Sequence, residues 1–209
     1  MTLDPVDLER TCLYLVARAQ LRAGTLADLI PELAAAGVDI VQLREKEMTK
    51  EDLRRAAEPI LAACRDMGVP FIINDYPDLA AELGADGVHV GQDDISVPAA
   101  RRTTGGIVGL STHNRQQIVA ADPVAPDYIA VGPVYETPTK PGRPSVGLDL
   151  LTFAAEHATL PWFAIGGIDD SNIDEVVAAG ARRVVVVRAI TEAPDPTSAA
   201  AALKASLPG

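Results

Sequence analysis

Two cations and an amide stand at alternate positions in the segment Gln42-Leu43-Arg44-Glu45-Lys46, directly after an apolar run. Side chains alternate across an extended strand, so Gln42, Arg44 and Lys46 share one face and the other two residues share the opposite face. Charge turned toward a protein interior is costly without a partner, so this face suits an anionic ligand. The alternative is a solvated strand end in which Arg44 pairs with Glu45, an interaction worth little.

Two aspartates follow the next two apolar runs. Asp75 comes after Ile73-Asn74, and Asp94 comes shortly after His89-Val90. Two carboxylates, completed by waters and substrate phosphate oxygens, form the usual oxygen shell of Mg²⁺. The alternative is that Asp75 caps the helix that begins near Pro77 and that Asp94 caps a turn. Their shared position opposite the cations favours metal binding.

Later apolar runs also end in polar residues. Ser111 either bonds a substrate or caps the following helix, and spacing alone does not decide between these roles. Lys140 lies in a loop, where a lysine is usually solvated, but beside a site it binds phosphate or forms a Schiff base. The pair Gly166-Gly167 permits close approach of a phosphate to backbone N–H groups, although it also suits a simple tight turn.

Short apolar runs alternate with amphipathic runs along the whole chain, a pattern typical of a parallel sheet with helical crossovers. Eight such units favour an α/β fold with a single closed (β/α)8 TIM barrel, since no Gly-rich dinucleotide turn follows the first strand. The polar residues above would then meet at the C-terminal mouth of the barrel. The predicted strands are residues 13–17, 39–43, 71–73, 87–90, 107–110, 128–131, 162–165 and 183–187. The predicted helices are residues 26–36, 50–67, 77–83, 98–103, 115–121, 148–158, 172–179 and 197–207.

Composition limits the classes of partner. A net charge of −11, from 18 basic and 29 acidic side chains, argues against nucleic acid and against an anionic membrane. No apolar run is long enough to span a bilayer, no signal peptide is indicated, and the two cysteines form no disulfide framework. We therefore expect one catalytic domain over residues 1–209, located in the cytoplasm.

Five motifs in sensible order make the chain resemble the thiamine-phosphate synthase (thiamine-phosphate pyrophosphorylase) family over residues 13–191. They are QLREK, NDYPDLAAELGADGVHVGQDD, GLSTHN, VGPVYETPTK and AIGGI. The resemblance implies a Mg²⁺-dependent transferase that joins 4-amino-2-methyl-5-hydroxymethylpyrimidine diphosphate to 4-methyl-5-(2-phosphoethyl)thiazole and releases pyrophosphate. It implies small phosphorylated molecules as partners, and a homodimer is one further expectation.

The resemblance also assigns site residues by matching position. Asp75 and Asp94 carry Mg²⁺, and four residues are catalytic, namely Arg44, Lys46, Ser111 and Lys140. The pyrimidine diphosphate is bound by these four together with Gln42, Leu43, Glu45 and Asn74. The thiazole phosphate is bound by Thr137, Pro138 and Thr139 and by the backbone of Gly167, Val187 and Arg188. Many members have serine in place of Arg188, so the resemblance assigns no role to this side chain.

The implied chemistry agrees with the residues. Loss of pyrophosphate leaves a positive charge on the amino-substituted pyrimidine, so the protein needs cations aimed at the departing oxygens rather than a nucleophile. Water must be excluded, and residues 137–147 are the predicted lid. Three alternatives remain: a thiazole tautomerase on the same barrel, an aldolase that uses Lys140, and a non-catalytic sensor of a phosphorylated thiazole. The tautomerase is disfavoured by the intact QLREK segment with Asp75 and Asp94.

Overall fold

Eight parallel strands close into a barrel in the computed structural model, which describes residue 8 and residues 10–137 and 144–208. Each strand pairs with its neighbours in sequence, and the last pairs with the first, with Leu13 opposite Val184. The predicted TIM barrel is therefore confirmed. The strands are β1 (Leu13–Ala17), β2 (Ile40–Leu43), β3 (Phe71–Asn74), β4 (Gly87–Val90), β5 (Ile107–Thr112), β6 (Tyr128–Val131), β7 (Trp162–Ile165) and β8 (Val184–Val186).

Helices cover the outside of the barrel, and the predicted ones agree with the observed bounds to within about two residues. They are α1 (Leu26–Ala35), α2 (Lys50–Met67), α3 (Pro77–Leu83), α4 (Val97–Thr104), α5 (Arg115–Ala121), α6 (Gly147–His157), α7 (Ile173–Ala178), α8 (Arg188–Thr191) and α9 (Pro196–Ser206). The sequence did not predict α8, a single turn that starts where β8 ends. It also did not predict the hairpin of Gln20–Leu21 with Gly24–Thr25.

Alternation along the strands divides the core into two layers. Val41 and Leu43 belong to the outer cluster between strands and helices, whereas the side chains of the inner cluster fill the barrel. In the inner cluster, the Phe163 ring packs edge-on against Tyr14 and Tyr128, with ring centroids 5.5 and 5.3 Å apart. The barrel interior is therefore a packed core, crossed by one chain of buried polar side chains that is described below.

Aspartates join neighbouring strands at the opposite, N-terminal rim. Asp39, Asp86 and Asp127 each precede a strand and accept a hydrogen bond from a backbone N–H near the start of the preceding strand. The Asp86 carboxylate, for example, lies 2.7 Å from the Phe71 nitrogen. These bonds fix the register of neighbouring strands. Their role is structural, because barrel chemistry occurs at the other end.

We expect Asp86→Ala to lower the free energy of unfolding by about 2 kcal/mol, because the buried Phe71 N–H loses its charged acceptor. Turnover per folded molecule should change by less than about twofold, since Asp86 lies far from the mouth. Urea unfolding and initial rates measure the two effects. Asp66→Ala, at an exposed position of α2, is the matched control and should leave stability within about 0.5 kcal/mol. A large loss of turnover in folded Asp86→Ala would contradict the assignment of a purely structural role to the N-terminal rim.

The two cysteines differ in exposure. Cys64 is fully buried, and burial raises the pKa of its thiol to about 12, so it packs as a small apolar residue. Cys12 is only half-buried. In the described part of the chain, every helix is too short or too polar to cross a membrane.

Candidate active site

Three adjoining cavities lie at the C-terminal mouth within the described residues, and Arg44 lines all of them. The central cavity, of about 350 Å³, extends from Gln42 to Gly167 across the barrel axis. The lateral cavity, of about 340 Å³, lies beside the ends of β2, β3 and β4. The basic cavity, of about 560 Å³, lies beside the end of β1 and includes Arg18 and Arg22.

The lateral cavity brings together the cations and carboxylates singled out in the sequence. Arg44 and Lys46 from the end of β2 line it together with Asp75 and Asp94, which follow β3 and β4. Asn74 and Ser111 line the lateral and the central cavity alike. The expectation that these cations and carboxylates share one pocket therefore agrees with the geometry.

Arg44 keeps its positive charge in a partly desolvated position. Burial lowers the pKa of its guanidinium, and the charge of Asp75 opposes part of that shift. Among the described residues, neither Arg44 nor Lys46 lies within ion-pair distance of a carboxylate. The alternative in which Arg44 pairs with Glu45 is wrong, because Glu45 bonds Arg18 Nε at 3.0 Å instead. Positive charge in the cavity is thus available to an anion.

Leu43 and Glu45 are not brought to any of the three cavities. Leu43 is 1% exposed within the outer core, and Glu45 accepts a hydrogen bond from the Ala19 N–H at 2.8 Å. The reason is strand alternation, which turns both residues away from the face of Gln42. Within this segment, the geometry supports Gln42, Arg44 and Lys46 as substrate contacts. Leu43 and Glu45 instead support the structure around them.

Asp75 adopts a left-handed backbone conformation, with φ of 66°, that few residues other than glycine, asparagine and aspartate tolerate. Its backbone N–H donates to the His89 carbonyl at 2.9 Å. The alternative that Asp75 caps α3 is wrong, because Tyr76 occupies the N-cap position and the Leu79 N–H in the first turn donates to Asp78 Oδ1 at 2.8 Å. The unusual backbone turns Asp75 into the lateral cavity.

Asp94 does cap a turn, since its Oδ2 accepts from the Gly91 N–H at 2.7 Å. Within the described residues, Oδ1 makes no hydrogen bond and remains for another ligand. No group of three or more metal-binding side chains occurs in the described ranges. Two carboxylates nevertheless suit Mg²⁺, which usually keeps several waters and takes further oxygens from substrate phosphates.

Ser111 contacts a histidine that the sequence analysis did not select. Ser111 Oγ lies 2.9 Å from His89 Nε2 in the wall shared by the central and lateral cavities. The alternative helix-capping role falls to Asn114, whose side chain accepts from the Gln117 N–H at 2.9 Å. The signal for His89 was present, because Val88 and Val90 pack outward and alternation therefore turns the polar side chain between them inward.

The far end of the central cavity is lined by Thr137, Gly167, Val187 and Arg188. Gly167 has φ of 69°, and a Cβ there would lie 2.7 Å from Tyr135 Cβ, so only glycine fits. Arg188 also lines the basic cavity, and its guanidinium lies 3.9 Å from Glu192. Residues 138–143 of the predicted lid lie outside the described residues, and they include Pro138, Thr139 and Lys140.

Taken together, a TIM barrel whose mouth joins cations, carboxylates and a glycine-lined backbone defines a class of enzymes that act on small phosphorylated molecules.

Comparison with known proteins identifies the family. A family profile described as Thiamine monophosphate synthase matches residues 13–190. The thiamine-phosphate synthase of Thermus thermophilus is 54% identical over 176 residues, covering 84% of this chain and 85% of that protein. The thiamine-phosphate synthase of Acidothermus cellulolyticus is 49% identical over 200 residues, covering 93% and 94%. This chain belongs to the thiamine monophosphate synthase family.

A solved structure supports the fold independently. Thiamine phosphate pyrophosphorylase from Pyrococcus furiosus superposes with a TM-score of 0.86 at 24% identity, covering 95% of this chain and 96% of that one. The expected function in thiamine biosynthesis, as a thiamine-phosphate synthase and transferase, is confirmed by the sequence relatives. The family generally uses Mg²⁺.

Proposed function

We propose that this chain joins the pyrimidine diphosphate and the thiazole phosphate with the diphosphate in the lateral cavity and the two rings in the central cavity. The observation that carries the proposal is the meeting of Arg44 and Lys46 with Asp75 and Asp94 in one cavity. A diphosphate is a polyanion that needs both direct cations and a bridging metal. The adjoining central cavity is less charged and suits the rings.

The reaction requires charge stabilisation at the departing oxygens. The bond between the pyrimidine methylene carbon and the diphosphate oxygen breaks, and the amino-substituted ring carries the positive charge that remains. The guanidinium of Arg44 and the ammonium of Lys46 stabilise the negative charge on the leaving group, which is preorganised electrostatic catalysis. Lys140 is proposed to add a third cation, as the resemblance implies.

Asp75 and Asp94 are the residues proposed to hold Mg²⁺. When bound, Mg²⁺ would supply Lewis-acid charge and a template for the diphosphate oxygens. The two carboxylates come from separate loops, and the Asp94 turn fixes one of them through the Gly91 N–H. Their separate origins leave the remaining coordination positions open to waters and substrate, as Mg²⁺ requires.

The second half of the reaction needs orientation only. The thiazole nitrogen donates its lone pair to the pyrimidine methylene carbon, forming the C–N bond, and no proton is lost because that nitrogen carries none. We propose that Thr137, Gly167, Val187 and Arg188 bind the phosphate that holds this ring in place, with Pro138 and Thr139 completing the site. Ser111, Asn74 and Gln42 line the cavity where the pyrimidine would lie. Residues 137–147 are proposed to exclude water.

Incubation with both phosphorylated substrates and Mg²⁺, with thiamine phosphate and pyrophosphate assayed together, tests the function. We expect the two products in equal amounts, and neither when either substrate is omitted. Binding of the thiazole phosphate without turnover would identify a sensor, and isomerisation of a thiazole carboxylate phosphate would identify a tautomerase. Either outcome would overturn the proposal.

Three broader expectations also belong to the proposal. We propose that residues 1–209 act as one catalytic domain, that the protein works in the cytoplasm and that it forms a homodimer. The family match over residues 13–190 supports the first of these. Light scattering of the purified protein measures the mass in solution and decides between monomer and dimer.

A further inference from the structure

Five buried polar side chains form one hydrogen-bonded chain across the interior of the barrel. Gln42 Nε2 donates to Tyr14 Oη at 2.6 Å, and Tyr14 Oη lies 2.8 Å from Tyr128 Oη. Tyr128 Oη lies 3.0 Å from His89 Nδ1, and His89 Nε2 lies 2.9 Å from Ser111 Oγ. All five side chains are less than 10% exposed, so each unmade bond would be costly. The chain links both ends of the pyrimidine-lining wall through residues the proposed reaction does not use.

Counting protons gives the chain a direction. Tyr14 Oη accepts from the Gln42 amide, and its only other partner within the described residues is Tyr128, so its own proton points there. Tyr128 then donates to His89 Nδ1, its remaining partner in the described part of the chain. His89 Nδ1 is therefore the acceptor nitrogen of a neutral imidazole, and Nε2 carries the proton that Ser111 Oγ accepts. The Ser111 proton is left to point into the cavity.

The surrounding packing is built around this chain. Gly109 on β5 faces the gap between Tyr128 and His89, where a Cβ would lie 2.4 Å from Tyr128 Oη and 2.5 Å from His89 Nδ1. Any larger residue would separate the two groups. The Phe163 ring packs edge-on against both tyrosines and fixes their orientation without contributing a proton. Burial also raises the pKa of both tyrosines above the ordinary range, so both hydroxyls keep their protons.

We propose that Tyr14 and Tyr128 are positioning residues, which hold His89 as its Nε2–H tautomer and thereby commit the Ser111 hydroxyl to donate toward the substrate. At the other end, Tyr14 occupies one Gln42 N–H and orients the amide, leaving Oε1 as an acceptor. The wall thus offers a fixed donor at Ser111, and at Gln42 a fixed acceptor beside the second amide N–H. An aminopyrimidine presents the complementary pair, a ring nitrogen and an exocyclic amine. This inference rests on the proposed function for its kinetic consequence, but the tautomer is independent of it.

Nitrogen-15 NMR of the full protein labelled at its 3 histidines reports the tautomer directly. We expect His89 to be neutral and protonated on Nε2 in the unmodified protein. Tyr128→Phe removes the donor to Nδ1, so both tautomers should become populated. Tyr14→Phe leaves the Tyr128–His89 bond in place, so the Nε2–H form should persist. Phe163→Leu is the matched control, because it disturbs the same aromatic packing and should leave the tautomer unchanged.

Steady-state kinetics supply the second measurement. Tyr128→Phe should lower kcat about tenfold with the KM for the thiazole phosphate unchanged, since a single hydrogen-bond donor is misdirected. His89 protonated on Nδ1 in the unmodified protein would overturn this inference even with full turnover. A Tyr128→Phe variant with unchanged tautomer and unchanged kcat would overturn it as well. A protein that forms no thiamine phosphate would instead overturn the proposed function, with the tautomer still measurable.

Discussion

Arg44→Ala is expected to lower kcat/KM for the pyrimidine diphosphate by about 10²–10³-fold while the protein stays folded. Arg44 lines all three cavities and has no carboxylate within ion-pair distance among the described residues. In the partly desolvated mouth, its charge-assisted bonds to the leaving group are stronger than they would be in water. Initial rates at varied diphosphate concentration, with a thermal melt to check folding, measure the effect.

Two matched variants separate charge from geometry. Arg44→Lys keeps the charge but loses the planar fork, so its kcat/KM should fall between those of the unmodified protein and Arg44→Ala. Arg55→Ala removes an exposed cation of α2 that pairs with Asp52, and its rates should stay within about twofold. If Arg44→Ala also stayed within about twofold, Arg44 would act as a solvated surface residue and the anion pocket would lose its main support.

Asp75→Ala is expected to abolish Mg²⁺-dependent turnover and leave the fold intact. The carboxylate lines the lateral cavity with Asp94, is not the N-cap of α3 and lies close enough to Arg44 to oppose the lowering of its pKa. Loss of one of two anionic ligands weakens a site that already relies on substrate oxygens. The measurement is initial rate against Mg²⁺ concentration, after treatment with a chelator.

Asp75→Asn is the more discriminating variant, because asparagine also tolerates the left-handed backbone at φ of 66° and so removes only the charge. It should show the same loss of turnover as Asp75→Ala. Asp78→Asn, at an exposed carboxylate of α3 that pairs with Lys50, controls for a general change of charge and should keep its rates. Full activity of Asp75→Ala in metal-free buffer would exclude the proposed metal site.

The barrel was predictable because its strands repeat one strong signal. Apolar residues facing the helices, such as Val41 and Leu43, alternate with those facing the interior, and glycines end several helices. The hairpin after β1 and the single turn α8 were missed because both are too short for any periodicity. Residue 187 was assigned to the last strand, but there the chain turns into α8, so β8 ends at Val186.

The site was predictable where strand alternation alone orients a side chain, as for Gln42 and Arg44. Capping roles were not, since they depend on where each loop turns. Asp75 is not the N-cap of α3 and Ser111 is not the N-cap of α5, whereas Asp94 does bond the Gly91 N–H. The role of His89 follows from tyrosines on β1 and β6, which are distant in sequence and meet it only in the closed barrel.

A crystal structure with Mn²⁺ in place of Mg²⁺ and inorganic pyrophosphate tests the central claim most directly, because Mn²⁺ scatters anomalously and takes similar oxygen ligands. We expect the anomalous peak in the lateral cavity, in contact with the carboxylates of Asp75 and Asp94, and pyrophosphate oxygens bonded to Arg44 and Lys46. A metal bound elsewhere, or pyrophosphate bound away from Arg44 while its guanidinium faces bulk solvent, would contradict the account.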